Sequence, residues 1–312
     1  MRRAVTNLSD HNGKGHVAQT VCDGFLALAD EWIARAVSDN AASWFRGAIE
    51  NVRGAPGGNA LAVAIGLAPR RVGKADLSLT ADDATRARSL RAGLDPSDWS
   101  VDQLARIALM VASYAGDEAA FAAQFDTFCS TAEINELIAL CRGLPLYPAA
   151  ERLEPRAREA VRSGMKPVFE AVAHRNPYPV EFFSEDAWNQ MVVKAFFIGS
   201  RLWPIQQLDQ RGNPRLARML VDLAQERWAA GRPVSGEVWR CVAPHADDEG
   251  IAALIRAFES GGDDERLSVA LALQQPSSQR VDVAFGQRGL RDRLTELQSH
   301  LAKEQIDWTS LA

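Results

Sequence analysis

From Asn176 to Arg240 the chain carries helix starts and stops so closely spaced that it admits two helices joined by one irregular corner. Ser184 is a good N-cap, and Glu185 and Asp186 place negative charge against the free amides of a first turn. Trp188, Met191, Val192, Ala195 and Ile198 recur at helical spacing and form an apolar face, which Gly199 stops as a C′ glycine does. Pro204 forbids a simple continuation. Asn213 followed by Pro214 then opens a second helix as N-cap and N1 proline. That helix is expected to run to Ala230 and close at Gly231, with Pro233 beyond it and another helix beginning at Ser235.

The corner, SRLWPIQQLDQRGNP, gathers Arg201, Gln206, Gln207, Asp209, Arg211 and Asn213 around Trp203. Such a loop can satisfy itself, its side chains capping the helices on either side. It can also serve as a recognition surface, an aromatic platform with many donors and acceptors, which suits binding better than bond breaking. Lys194 sits in the very apolar run MVVKAFFIG, roughly in line with Asp186, Gln190 and Arg201. It either snorkels from the edge of a packed helix or stands beside the corner to meet an acidic ligand group. A second Leu-aromatic-Pro corner, Leu146-Tyr147-Pro148, hints at a weak repeat of helix pairs. Such corners wedge helices apart, or, if both face one cavity, Tyr147, Tyr178 and Trp203 line it. The candidate ligand-binding set is therefore Tyr178, Asn189, Lys194, Arg201, Trp203, Gln206, Gln207, Asp209 and Arg211.

The remaining chain reads as helix after helix. Val21, Phe25, Leu28 and Trp32 give Val17 to Val37 an amphipathic pattern. Asn59 is expected to start a short apolar helix ending near Pro69. After it, Arg70, Arg71 and Lys74 fall in an irregular basic stretch, either a solvated corner or an anion contact. Thr80 with Asp83, Ser100 with Gln103 and Ser130 with Glu133 read as capping boxes that open helices, and Gly116 and Gly143 as stops. Beyond Val242, DDEGIAALIRAFESGGDDERLSVALALQQP is two short helices split by a glycine pair, with a HEAT-like phrase in DDERLSVALALQQ. No period-2 segment argues for a strand. The expected fold is all-α, stacked helical hairpins of HEAT or armadillo type. Its expected segments are 1–58, 59–243 and 244–312, in one continuous body.

Several classes of function are disfavoured. At 312 residues the chain buries a large core, roughly 75% of its unfolded surface. A net charge of −5 without a concentrated basic face argues against nonspecific nucleic-acid binding. Cys22, Cys129, Cys141 and Cys241 are scattered, without CxxC or histidines at metal-ligand spacing, and are expected as free thiols. HADDEG is the one metal-like cluster, and its acids read better as a helix start. GKGH lacks the spacing and the preceding strand of a P-loop, and HExxH, GxSxG, GxGxxG and DDxxD are absent. No metal or cofactor is called for. With neither an apolar signal region nor a run of about 18 apolar residues, a cytoplasmic protein without a transmembrane segment is expected.

AWNQMVVKAFFIG, LWPIQQLDQRGNPRLARMLVDLAQERWAAGR and NPYP, together with GLAPRRVGKADLSL, LDPSDWSVDQLARIALM and LPLYP upstream, resemble the EboA family of bacterial proteins. The resemblance covers roughly Asn59 to Ala243 and, because several motifs agree in order, is fairly specific. It implies a place in clusters that also encode a prenyltransferase-like membrane protein, a sugar-phosphate-isomerase-like protein and hydrolase-like proteins. Those clusters are linked to the export or handling of secondary metabolites. It carries over no catalytic residue. The expectation is an accessory protein of secondary-metabolite (natural product) biosynthesis or traffic, not an enzyme by itself. It would bind a small metabolite or a protein of the same cluster in a polar and aromatic groove at the Trp203 corner. The competing expectations are a cofactor-free enzyme of a natural-product pathway, with Lys194 or Asp209 as acid or base, and a pure helical scaffold.

Overall fold

The computed structural model describes residues 6–56, 58–275 and 279–311. Among them the protein is all-α, 72% helical, and a lone antiparallel bridge between Asp76 and Ser100 is the only strand-like pairing. No described helix is long and apolar enough to cross a membrane. The chain forms two compact units, Met1–Phe183 and Ser184–Ala312, a division that falls within the 59–243 segment.

The first unit is built round a helix with almost no polar face. Its early helices are α1 (Thr6–Ala36), α2 (Asp39–Gly54), α3 (Ala60–Arg71), α4 (Ala81–Leu90) and α5 (Val101–Ala112). Every residue of α5 except Gln103 is buried, as an all-round apolar run requires, and α1, α2 and α3 pack on it. Arg106 is buried there as well. It donates to Asp102 Oδ2 (2.9 Å) and to the carbonyls of Ile65 (3.2 Å) and Asn135 (3.4 Å), so the charge is paired where water cannot reach it. The helix expected over Val17 to Val37 falls in α1, which ends one residue earlier at Ala36, and GKGH falls in α1 too. Helix α3 ends at Arg71, two residues past Pro69, near where it was expected to end. A proline gives up only its own amide bond and its ring displaces one carbonyl, so the last turn survives it.

Asp83 ties α4 to α1. Its carboxylate accepts from Trp32 Nε1 (2.8 Å), Arg35 Nη2 (2.6 Å), Thr80 Oγ1 (2.7 Å) and the Thr80 amide (2.9 Å), completing the expected capping box. Burial alone would raise its pKa, but these donors outweigh burial and hold the carboxyl well below the usual range.

The unit continues with α6 (Glu118–Thr131), α7 (Ile134–Arg142), α8 (Ala150–Arg162), α9 (Lys166–Ala173) and α10 (Tyr178–Phe182). Helix α7 packs on α5 and on α9, α9 on α8, and α8 on α6. The Ser100–Gln103 box is present, but Ser130 does not open a helix. It lies in the last turn of α6 with its hydroxyl donated back to the Asp126 carbonyl (2.7 Å). The cap is Glu133, whose amide donates to Glu136 (3.2 Å), because the backbone turns extended only at Ala132.

The second unit holds α11 (Glu185–Phe197), α12 (Pro214–Ala229), α13 (Val238–Val242), α14 (Asp248–Ser260), α15 (Asp263–Ala272), α16 (Gln279–Gln287), α17 (Arg291–Glu304) and α18 (Trp308–Leu311). Gly199 and Gly231 adopt φ of +62° and +66° beyond α11 and α12. The amides after them reach back to Ala195 (2.8 Å) and Arg227 (2.8 Å), the closures their glycines forecast. Asp247 of HADDEG is the N-cap of α14, accepting from the Gly250 amide (3.0 Å). Helices two apart in sequence pack together, α12 on α14 and α14 on α16, α13 on α15 and α15 on α17.

The Asp83 knot carries a testable consequence. Asp83→Ala strands the Trp32 and Thr80 donors and is expected to cost about 2–3 kcal/mol. In the native protein the stabilisation is full above the unfolded carboxyl pKa of ~3.9 and is lost as pH falls toward the depressed folded value. Chemical denaturation of both proteins between neutral and acid pH checks this, and the gap between them should narrow as the pH falls.

Candidate functional site

The Trp203 corner is organised by a residue the sequence did not single out. Glu237, just before α13, is buried, and its carboxylate accepts the Leu202 amide (3.0 and 2.9 Å) and the Trp203 amide (2.6 Å). Burial pushes its pKa up, against the pull of those amides and of Arg201 and Arg240 nearby. The one available hint was the corner itself. Two amides ahead of Pro204 need an acceptor once the helix has stopped.

Most of the expected site residues have structural partners. Asn189, buried in α11, exchanges amide hydrogen bonds with Asn213 (3.2 and 2.9 Å), and Asn213 in turn caps α12 by accepting from Leu216 (2.9 Å). Asp209 is held by Arg240 through two bonds of 2.6 and 2.7 Å, and the Arg240 guanidinium also lies over Trp308, 5.7 Å from the ring centre. Arg211 lies 4.5 Å over the buried Trp188 ring, and burial lowers its pKa. Lys194 is half-buried on α11, while Arg201 and Gln207 are exposed and Trp203 and Gln206 partly so. Gln207 has φ of +52°, a left-handed turn that rarely suits a side-chain-bearing residue. Tyr178 belongs to the first unit, where it is fully buried and donates its hydroxyl to the Ala150 carbonyl (2.5 Å). Tyr147 also belongs there, wedged against Phe121 and Phe125 at 5.8 and 5.3 Å.

A cavity of about 470 Å³ opens elsewhere in the first unit, among α6, α7, α8 and α9. Its depth is apolar and buried: Phe125, Cys141, Leu144, Ala157, Ala160 and Val168. Its rim is polar and accessible, with Ser130, Arg156, Glu159, Arg162 and Ser163, and Met165 beside them. None of the residues expected from the sequence lines it. Burial pushes the Cys129 thiol up to about 12 and the Cys141 thiol well above its ordinary value, so both wall residues are neutral thiols at pH 7. Arg156 is committed at the rim. It pairs with Asp126, donates to Glu159 (2.6 Å) and reaches Ser130 (3.3 Å).

Residues 25–243 match the family model described as "Metabolite traffic protein EboA", well over half of the chain. The chain belongs to the EboA family. No curated protein and no solved structure matches it. The EboA match ends at Ala243, where the sequence resemblance ended, but begins in α1 rather than at Asn59. It spans both the cavity and the Trp203 corner.

Substitution at Glu237 separates shape from charge in the corner. Glu237→Ala leaves two buried amides without an acceptor and is expected to destabilise the protein by about 1–3 kcal/mol. Glu237→Gln can still accept both through one oxygen and should lose less than half of that. Thermal melts with fluorescence of the tryptophans read both.

Proposed function

We propose that the chain binds one small metabolite in the α6–α9 cavity and acts in its traffic as a carrier or accessory, without transforming it. The observation that carries the reading is the cavity itself. Its volume falls within the roughly 300–1,000 Å³ of small-molecule sites, and a largely apolar interior meets a few polar groups at one rim. The state of the thiols supports holding over reacting, since a neutral buried thiol is a poor nucleophile. The family's description as metabolite traffic proteins supports the same reading. Packing between alternate helices supports a repeat-like stack of hairpins, a scaffold that leaves spaces between successive pairs. Proteins of the same biosynthetic cluster are the proposed donors or receivers of the ligand.

The Trp203 corner is the alternative seat, favoured by its half-exposed indole and by the exposed Arg201 and Gln207. One titration distinguishes the two. N-phenyl-1-naphthylamine, a neutral apolar probe that brightens when it leaves water, is expected to bind the native chain. Ala160→Phe, which fills the cavity, should weaken it by about tenfold or more, the equivalent of ~1.4 kcal/mol. The double change Arg201→Ala and Gln207→Ala should leave it intact. Probe lost from the corner variant and kept by the filled one moves the site to the corner. Far-UV circular dichroism confirms that each variant is folded.

A further inference from the structure

We infer that the ligand of the α6–α9 cavity is an amphipathic anion, an apolar body carrying one carboxylate, sulfonate or phosphate, and that Arg162 receives the charged end. The inference rests on the cavity reading above and adds the class of molecule. Two arginines line the space, and they differ in what they are already doing. Arg156 is neutralised where it stands, between Asp126 and Glu159, with Ser130 on its remaining edge. Its pKa is raised by those bonds, so an incoming anion would have to displace carboxylates to reach it. Arg162 has no hydrogen bond or ion pair among the described residues, although it lines the same cavity and is exposed at its rim.

The placement of Arg162 follows from the end of α8. It is the last residue of that helix, and the chain turns at Ser163 and Gly164 immediately after it. Ala157 and Ala160, earlier in the same helix, are small and buried, and they line the same apolar space as Arg162. A guanidinium offers paired N–H donors in one plane, the geometry that carboxylates and phosphates accept. A cation in the last turn of a helix also complements the negative end of the helix dipole. Of the charged residues that line the space, Arg156 and Glu159 pair with each other and leave Arg162, while Asp126, the other partner of Arg156, is not among the lining residues.

The test uses two probes with the same anilinonaphthalene body, 1-anilinonaphthalene-8-sulfonate and neutral N-phenyl-1-naphthylamine, titrated into the full chain at low ionic strength. Arg162→Gln should weaken the sulfonate by about tenfold and Arg162→Glu by more, while the neutral probe changes by less than about twofold. Arg162→Lys should restore part of the difference, and added salt should weaken the sulfonate on the native chain but hardly on Arg162→Gln. Equal loss of both probes, or loss of neither, overturns the anion assignment and leaves the cavity standing. Displacement of the sulfonate by inorganic sulfate at matched ionic strength would show that any free anion suffices, and would overturn the amphipathic class. Failure of Ala160→Phe to expel the neutral probe would instead count against the cavity, whatever Arg162 does.

Discussion

A chain built only of helices must find partners for the main-chain donors and acceptors left over at every helix end, and much of this protein follows from where it finds them. Exposed ends are closed locally, by capping boxes and by left-handed glycines such as Gly199 and Gly231. Two buried carboxylates go further and tie one segment to another, Asp83 through side chains and Glu237 through main-chain amides. Asp83 joins α4 to α1, and Glu237 joins the start of α13 to the turn after α11. The two carboxylates differ in balance. Asp83 meets a guanidinium, an indole and a hydroxyl as well as an amide, and its donors outweigh burial. Glu237 has only amides at hydrogen-bond distance, with cations farther off, and burial outweighs them. One therefore favours its charge, while the other bears it at a cost.

The pattern of starts and stops was legible because it is local chemistry. Asn213-Pro214 and the acids after Ser184 mark their helices correctly, since the side chains that cap them lie within a turn in sequence. An error arose where two local solutions compete. Ser130 has the right spacing from Glu133 for a cap, but its hydroxyl bonds back into α6 instead. Pro69 marks the end of α3 to within two residues, the helix closing at Arg71.

The cavity was not legible for the opposite reason. Its walls come from four helices, and no short stretch of sequence contains its chemistry. Polar and aromatic density marked the Trp203 corner instead, and there density reflects self-satisfaction as much as recognition. The Asp209–Arg240 and Asn189–Asn213 pairs absorb the groups that looked available. Alanines give no such signal. Ala157 and Ala160 read simply as helical material, yet the space among α6–α9 borders them because their side chains are short.

That space has an energetic meaning. Buried apolar groups that face a gap forgo dispersion contacts that a packed neighbour would supply, and a larger residue at Ala160 would regain some of them. The wall of Phe125, Leu144 and Val168 thus stands in a state that a fitting apolar body can improve. Whatever binds the folded unit and not the unfolded chain raises its stability by mass action, in proportion to the logarithm of ligand excess over Kd. Occupancy of the proposed site and stability of the folded unit would therefore rise together. Helix α7 packs on α5 as well as on α9, so the wall of the cavity is continuous with the buried centre of the unit.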